Sequence, residues 1–212
     1  MDDIFAVQDE VVAAIVSALP NQIWQVETIR SQRKSTDIRA WDLVLQAAAQ
    51  GLNTLKDTKR AITLCEQALK IEPDYAQAHS WLSSAYAMEW DHRLIPKPEA
   101  VEAKILKHAR RAVELDQTDG QAYLVLSDHC LFITKDLTEA RVHAERAMQL
   151  NPNSSNIVVW RGYIHNCDGE LKQAMELCAR GTRLDPLALG WFKFLHGVVC
   201  FDAGQYDRAI GM

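Results

Sequence analysis

No stretch of this 212-residue sequence could cross a bilayer: the longest apolar run, Val11 to Leu19, spans nine residues and is broken by Ser17, where roughly 20 would be needed. The opening Met1-Asp2-Asp3 is acidic, whereas a secretory leader starts basic. Both absences point to a soluble, cytoplasmic chain. Cysteines exist at 65, 130, 167, 178 and 200, an odd number with no CxxC pair, which excludes a disulfide framework and a zinc ribbon. Charge of one sign is also lacking. The 23 basic and 28 acidic residues leave a net charge of −5 spread along the sequence, too mixed a field to gather nucleic acid or acidic lipid, and only slightly favourable to a basic partner.

Catalytic signatures are missing as well. There is no GxSxG elbow, no glycine-rich phosphate loop after a strand and no HExxH, so no enzymatic activity is expected. Histidine and cysteine come closest at His129-Cys130 and at His165 with Cys167. Residues one or two apart do not share a helical face, and neither pair has a recognised ligand spacing, so packing roles are expected and no metal or cofactor. The basic series Lys104, Lys107, Arg110, Arg111 is interleaved with Glu99, Glu102 and Glu114, which reads as a solvated, ion-paired helix face.

What the chain does have is a period. Four segments end alike: Ala68-Leu69-Lys70-Ile71-Glu72-Pro73, Ala112-Val113-Glu114-Leu115-Asp116-Gln117, Ala147-Met148-Gln149-Leu150-Asn151-Pro152 and Gly181-Thr182-Arg183-Leu184-Asp185-Pro186, spaced by 44, 35 and 34 residues. Upstream of each ending a mostly small set recurs at fixed offsets: Ala61/Cys65/Ala68, Ile105/Ala109/Ala112, Ala140/Ala144/Ala147 and Ala174/Cys178/Gly181. Steps of four and three residues place these on one face of a helix. Narrow side chains there let that helix press closely on its neighbours, and a terminal proline stops it. Each unit opens with a large apolar residue, as in Trp81-Leu82 with Tyr86, Tyr123 with Leu126, Trp160 with Gly162, and Phe192 with Leu195.

Over 34 residues this pattern of aromatic, Leu, small residue, Tyr, then Ala, small residue, Ala and Pro resembles the tetratricopeptide repeat. The resemblance implies an all-α fold, a right-handed α-solenoid of helix-turn-helix repeats. It covers residues 41–212, with units at about 41–74, 75–118, 119–153 and 154–187 and a partial fifth at 188–212. The departures are Gln117 in place of proline, Cys65 and Cys178 in place of bulkier residues, and an insertion around Trp90–Pro98 between the helices of the second unit. Eight residues follow from Gln205 to the end, fewer than the ~12–15 at which an isolated helix becomes marginal. An excerpt of a longer protein, or an end covered by a partner, is expected there.

Residues 1–40 stand outside the repeat. Ile4, Phe5, Val7, Val11, Val12, Ile15, Val16 and Leu19 step at helical intervals, Pro20 interrupts them, and Ile23 to Lys34 reads as a second helix. The phrase Asp3-Ile4-Phe5-Ala6-Val7-Gln8-Asp9-Glu10-Val11 resembles the close of a TolB-type domain that precedes tetratricopeptide arrays in bacterial class III adenylate and guanylate cyclases and in some winged-helix transcriptional regulators. Gln32-Arg33-Lys34 and Ala40-Trp41-Asp42-Leu43-Val44-Leu45 are similar to their linker and first repeat helix.

What the resemblance implies for function is an interaction module of a bacterial signalling protein, with a concave groove lined by the first helix of each unit. Its groove positions map onto Leu43, Gln46, Gln50 and Asn53, then Gln77, Ser80, Ser84 and Ala87. They continue through Gln121, Leu124, Asp128 and Leu131, then Asn156, Val159, Tyr163, Asn166 and the single cation Lys193. The amides could pair with the main chain of an extended peptide. The clustered Lys, Arg and Asn that clamp the terminal carboxylate of chaperones are missing, so such tails are not expected to bind. The expected partner is a protein or peptide segment, with self-association through the apolar end near Trp191, Phe192, Phe194 and Phe201 as the alternative.

Overall fold

The computed structural model describes residues 37–50, 52–91, 99–186 and 190–211. Every regular element among them is helical, and they divide into two compact units at Pro152 and Asn153. The helices expected within residues 3–34 lie outside the described residues. No described helix is long and apolar enough to cross a membrane.

The first unit contains α1 (Ile38–Gln50), α2 (Leu55–Ile71), α3 (Ala76–Asp91), α4 (Glu99–Leu115), α5 (Gly120–His129), a π-helical turn Cys130–Thr134, and α6 (Leu137–Leu150). Helix α1 begins ahead of the Trp41 start expected, because Asp37 accepts the Arg39 N–H at 2.8 Å and so caps an earlier turn. Thr54 starts α2 in the same way: its hydroxyl accepts the Asp57 N–H at 3.2 Å and donates to the Asp57 carboxylate at 2.7 Å. At the other end, the Glu72 N–H closes onto the Ala68 carbonyl at 2.9 Å before Pro73 ends the helix. Trp90 and Asp91 finish α3, and residues 92–98 of the expected insertion lie outside the described residues.

The small-residue faces are where the helices meet. Ala61, Cys65 and Ala68 on α2, Ala109 and Ala112 on α4, and Ala140, Ala144 and Ala147 on α6 are all fully buried. One apolar cluster gathers Ala47, Leu64, Leu82, Tyr86, Ile105 and Val125, and a second gathers Val44, Ala48, Ala68, Tyr75 and Ala78. Burial of a side chain such as Leu82 contributes about 1.5–3 kcal/mol, and narrow residues opposite let it reach its neighbours.

The second unit contains α7 (Ser155–Cys167), α8 (Leu171–Leu184), α9 (Trp191–Asp202) and the short α10 (Tyr206–Ile210). Here the approach is closer still. A Cβ built on Gly162 would stand 2.9 Å from Cys178 Sγ, and one on Gly181 would stand 2.4 Å from Val159 Cγ2. Glycine is therefore a packing requirement at both positions, setting how near α7 and α8 can lie.

Candidate functional site

The first helices of the two units carry the residues expected to meet a partner, and their surroundings differ. On α1, Gln46 and Gln50 are exposed, as is Asn53 just beyond it, while Leu43 is half-buried. Both amides are oriented by carboxylates: Gln46 Nε2 donates to Asp42 at 2.7 Å and Gln50 Nε2 donates to Asp57 at 2.8 Å. Hydrogen bonding from Thr54, with Gln50 adding to it, holds the Asp57 carboxyl below its usual range. This part of the surface thus offers amide oxygens beside carboxylates, an arrangement that accepts hydrogen bonds and favours cationic groups.

Helix α3 is another matter. Gln77, Ser80 and Ser84 are only 8%, 2% and 8% exposed. Gln77 accepts a hydrogen bond from the Tyr75 hydroxyl at 2.8 Å, and Ser83 and Ser84 donate to the Ser80 carbonyl at 2.8 and 3.1 Å. Gln121 on α5 donates to Ser84 at 3.2 Å, so two expected groove residues face one another. Leu124 is buried, and Ala87, Asp128 and Leu131 are half-buried. Between Tyr75 and Tyr86 every residue except Trp81 is buried, so the polar groups of α3 serve the interior of the unit.

In the second unit Val159 is fully buried, whereas Asn156, Tyr163 and Asn166 are half-buried and Lys193 is exposed. Asn166 donates to Asp202 on α9 at 2.6 Å. Burial raises the Tyr163 hydroxyl above its ordinary range, so it stays protonated.

Two arrangements were not anticipated from sequence. His79 on α3 and His108 on α4 stack with ring centroids 5.0 Å apart and share a 2.8 Å Nδ1 to Nδ1 contact, while His79 Nε2 lies 2.9 Å from the Pro73 carbonyl. Beside them Tyr86 donates to Glu66 at 2.7 Å, and its hydroxyl is shifted upward by burial and by that carboxylate. The histidines singled out by proximity in sequence face carboxylates. His129 faces Glu102 at 3.9 Å, and His165 faces Glu170. Signals for these contacts were faint, because His79 and His108 are separated by 29 positions.

Successive helix pairs with narrow residues along the second helix give the chain a fold of the tetratricopeptide-repeat type. Residues 44–75 match the tetratricopeptide repeat family model. The fold is similar to the crystal structure of TTC0263, a thermophilic TPR protein of Thermus thermophilus, with a TM-score of 0.61 and 18% identity over 81% of this chain and 87% of that one. It is also similar to a chain of the APC/C hetero-tetramer Cut9-Hcn1, with a TM-score of 0.61 and 11% identity over 93% of this chain and 43% of the other. Across 134 residues, 60% of the chain, the sequence is 31% identical to the protein named "Putative adenylate cyclase 3" of Rhizobium meliloti (strain 1021). The matched region covers 22% of that protein's length.

Proposed function

We propose that this chain is a non-catalytic interaction module that holds an extended peptide or protein segment, serving as the regulatory or scaffold region of a bacterial signalling protein related to adenylate and guanylate cyclases. The observation that carries the binding half is the exposed edge of the first unit, where Gln46 stands beside Asp42 and Gln50 beside Asp57, with Asn53 exposed just beyond the helix. Amide oxygens next to carboxylates suit the N–H groups of an extended backbone and a basic side chain. The cyclase relation is supported by the 31% identity to the Rhizobium protein.

Photo-crosslinking tests the first half. A crosslinker at Gln46, Gln50 or Asn53 should capture one discrete partner, and the same group at the exposed Lys59 or Gln67 of α2 should not. Equal capture at both sets of positions removes this surface as the binding site. The second half is tested by the reading frame flanking residues 1 and 212: a nucleotide-cyclase domain supports it, and a winged-helix DNA-binding domain redirects it to transcriptional regulation.

A second reading, self-association, is favoured by the apolar face of α9 and α10. Phe194, Phe201, Tyr206 and Ile210 are 67%, 61%, 58% and 86% exposed there. Light scattering across a dilution series distinguishes it, because a concentration-independent mass of 23.9 kDa excludes stable self-association.

A further inference from the structure

The first unit brings together three metal-ligating side chains from the end of α5 and the start of α6. Cys130 Sγ, a Glu139 carboxylate oxygen and a His143 ring nitrogen all lie within 4.8 Å of one another. Glu139 and His143 are one turn apart on α6, with His143 Nε2 and Glu139 Oε1 separated by 3.7 Å. Donor atoms on a tetrahedral zinc ion stand roughly 3.5 Å apart, given bond lengths of about 2.0–2.3 Å. The imidazole and carboxylate are thus close to ligand spacing before any ion arrives, and the thiol needs only a small approach.

The cysteine reaches this position through the irregular end of α5. The π-helical turn Cys130–Thr134 widens the helix after His129, and Lys135 then takes a left-handed conformation with φ 58°. Three donors converge on the Cys130 carbonyl: the Lys135 N–H, the Asp136 N–H at 2.9 Å and the Thr134 hydroxyl at 3.1 Å. Asp136 also caps α6, accepting the Glu139 N–H at 2.9 Å, so one short connection holds both the cysteine and the glutamate backbones. On the far side the Tyr123 ring packs against the His143 ring at 5.9 Å. Widened π turns of this kind recur at functional sites in helical proteins.

The donor set also has the right chemistry. A thiolate, an imidazole and a carboxylate suit zinc and similar divalent transition ions, whereas calcium and magnesium prefer oxygen alone. Cys130 is 5% exposed, His143 is half-buried and Glu139 is exposed, so the cluster runs from the interior to the surface and an ion can enter from the Glu139 side. Asp136 adds a second carboxylate next to the cluster, which deepens the negative potential that draws a cation in.

We propose that Cys130, Glu139 and His143 form a three-ligand site for a divalent transition ion of the zinc class, with a water molecule completing the tetrahedron. On binding, the Cys130 thiol gives its proton to solvent and its sulfur lone pair to the metal. The imidazole donates a ring nitrogen lone pair and the carboxylate an oxygen lone pair, and nothing is oxidised or reduced. The ion ties the end of α5 to the first two turns of α6, stapling the third helix pair from its surface side.

The test is a cobalt titration of the full chain after chelation and reduction. A single equivalent of Co²⁺ should produce a thiolate-to-cobalt charge-transfer band in the near ultraviolet and the visible bands of tetrahedral cobalt, and Zn²⁺ should erase both. Zinc should also raise the unfolding temperature by mass action. Cys130→Ser should abolish the charge-transfer band, and His143→Gln and Glu139→Gln should each weaken binding by about tenfold or more. Because Glu139 is exposed, the last variant keeps its fold, and its helical circular dichroism serves as the check. The proposal is overturned if wild type gives no charge-transfer band or if the band survives in Cys130→Ser, which would place the thiolate at another cysteine such as Cys167. Unchanged affinity in both Gln variants would overturn it too.

Discussion

At the scale of single residues, the tightest surroundings among the glycines described fall on Gly181. An added Cβ would meet Val159 Cγ2 at 2.4 Å and the Ser155 carbonyl at 3.2 Å. Alanine in place of glycine within a helix ordinarily contributes about 1 kcal/mol of stability. Here the stiff, fully buried Val159 has nowhere to move, and overpacking costs of about 1–3 kcal/mol exceed that gain. Gly181→Ala should therefore lower the urea midpoint, and Gly162→Ala, facing Cys178 Sγ at 2.9 Å, should do likewise. A raised midpoint in either variant would mean that α7 and α8 can separate freely. Gly181 was legible in the sequence, because its offset repeats among the other units. The roles of the amides were not. Gln121 finds its acceptor in Ser84, and Asn166 finds Asp202, each more than thirty positions away, and no local pattern announces a partner at that distance.

Individual helices hold two further expectations. Thr54 satisfies the Asp57 N–H at the start of α2, so Thr54→Ala should cost about 1 kcal/mol of stability, read from chemical denaturation. The His79 and His108 pair links α3 to α4 through a defined proton arrangement. His79 Nε2 can only donate to the Pro73 carbonyl, so its Nδ1 is bare and accepts from the Nδ1–H of His108. Nitrogen NMR should find the protonated nitrogens at His79 Nε2 and His108 Nδ1.

Burial lowers the pKa of both rings from the ordinary 6.5, His108 to about 4, and the nearby Lys107 and Arg111 push in the same direction while Glu66 and Asp74 oppose it. The unfolded chain then binds more protons than the folded one between these values. The stability that the pair contributes is complete above pH 6.5 and is lost as pH falls towards 4, by on the order of 2 kcal/mol once partial solvent screening is allowed for. Urea midpoints across that range should decline in wild type and decline less in His108→Gln. Helix existence and order were readable from the three-and-four spacing, but the π-helical turn after α5 was not, since its signal is a hydrogen-bond register rather than a residue type.

For the whole molecule, the repeat class could be read because it is written several times over, and agreement among phased segments outweighs the ambiguity of any one of them. Partner choice is written once, on surfaces that carry no period. The apolar face of α9 and α10 gives the expectation that belongs at this scale. Replacing Phe194 and Ile210 together with serine should leave helicity intact, because both side chains are exposed, and should reduce any concentration-dependent rise in mass seen for wild type. An identical dilution profile in the two proteins would assign association to another surface.

The narrow faces that bring the helices together also sort the thiols. Cys65, Cys178 and Cys200 are fully enclosed, Cys130 nearly so, and Cys167 alone is exposed. Burial pushes Cys65 and Cys178 up to about 12. A maleimide dye at neutral pH should therefore mark Cys167 within the folded chain, and the slower arrival of further dye would time the opening of the packing around Cys65, Cys130, Cys178 and Cys200, giving the protein a built-in stopwatch for its own unfolding.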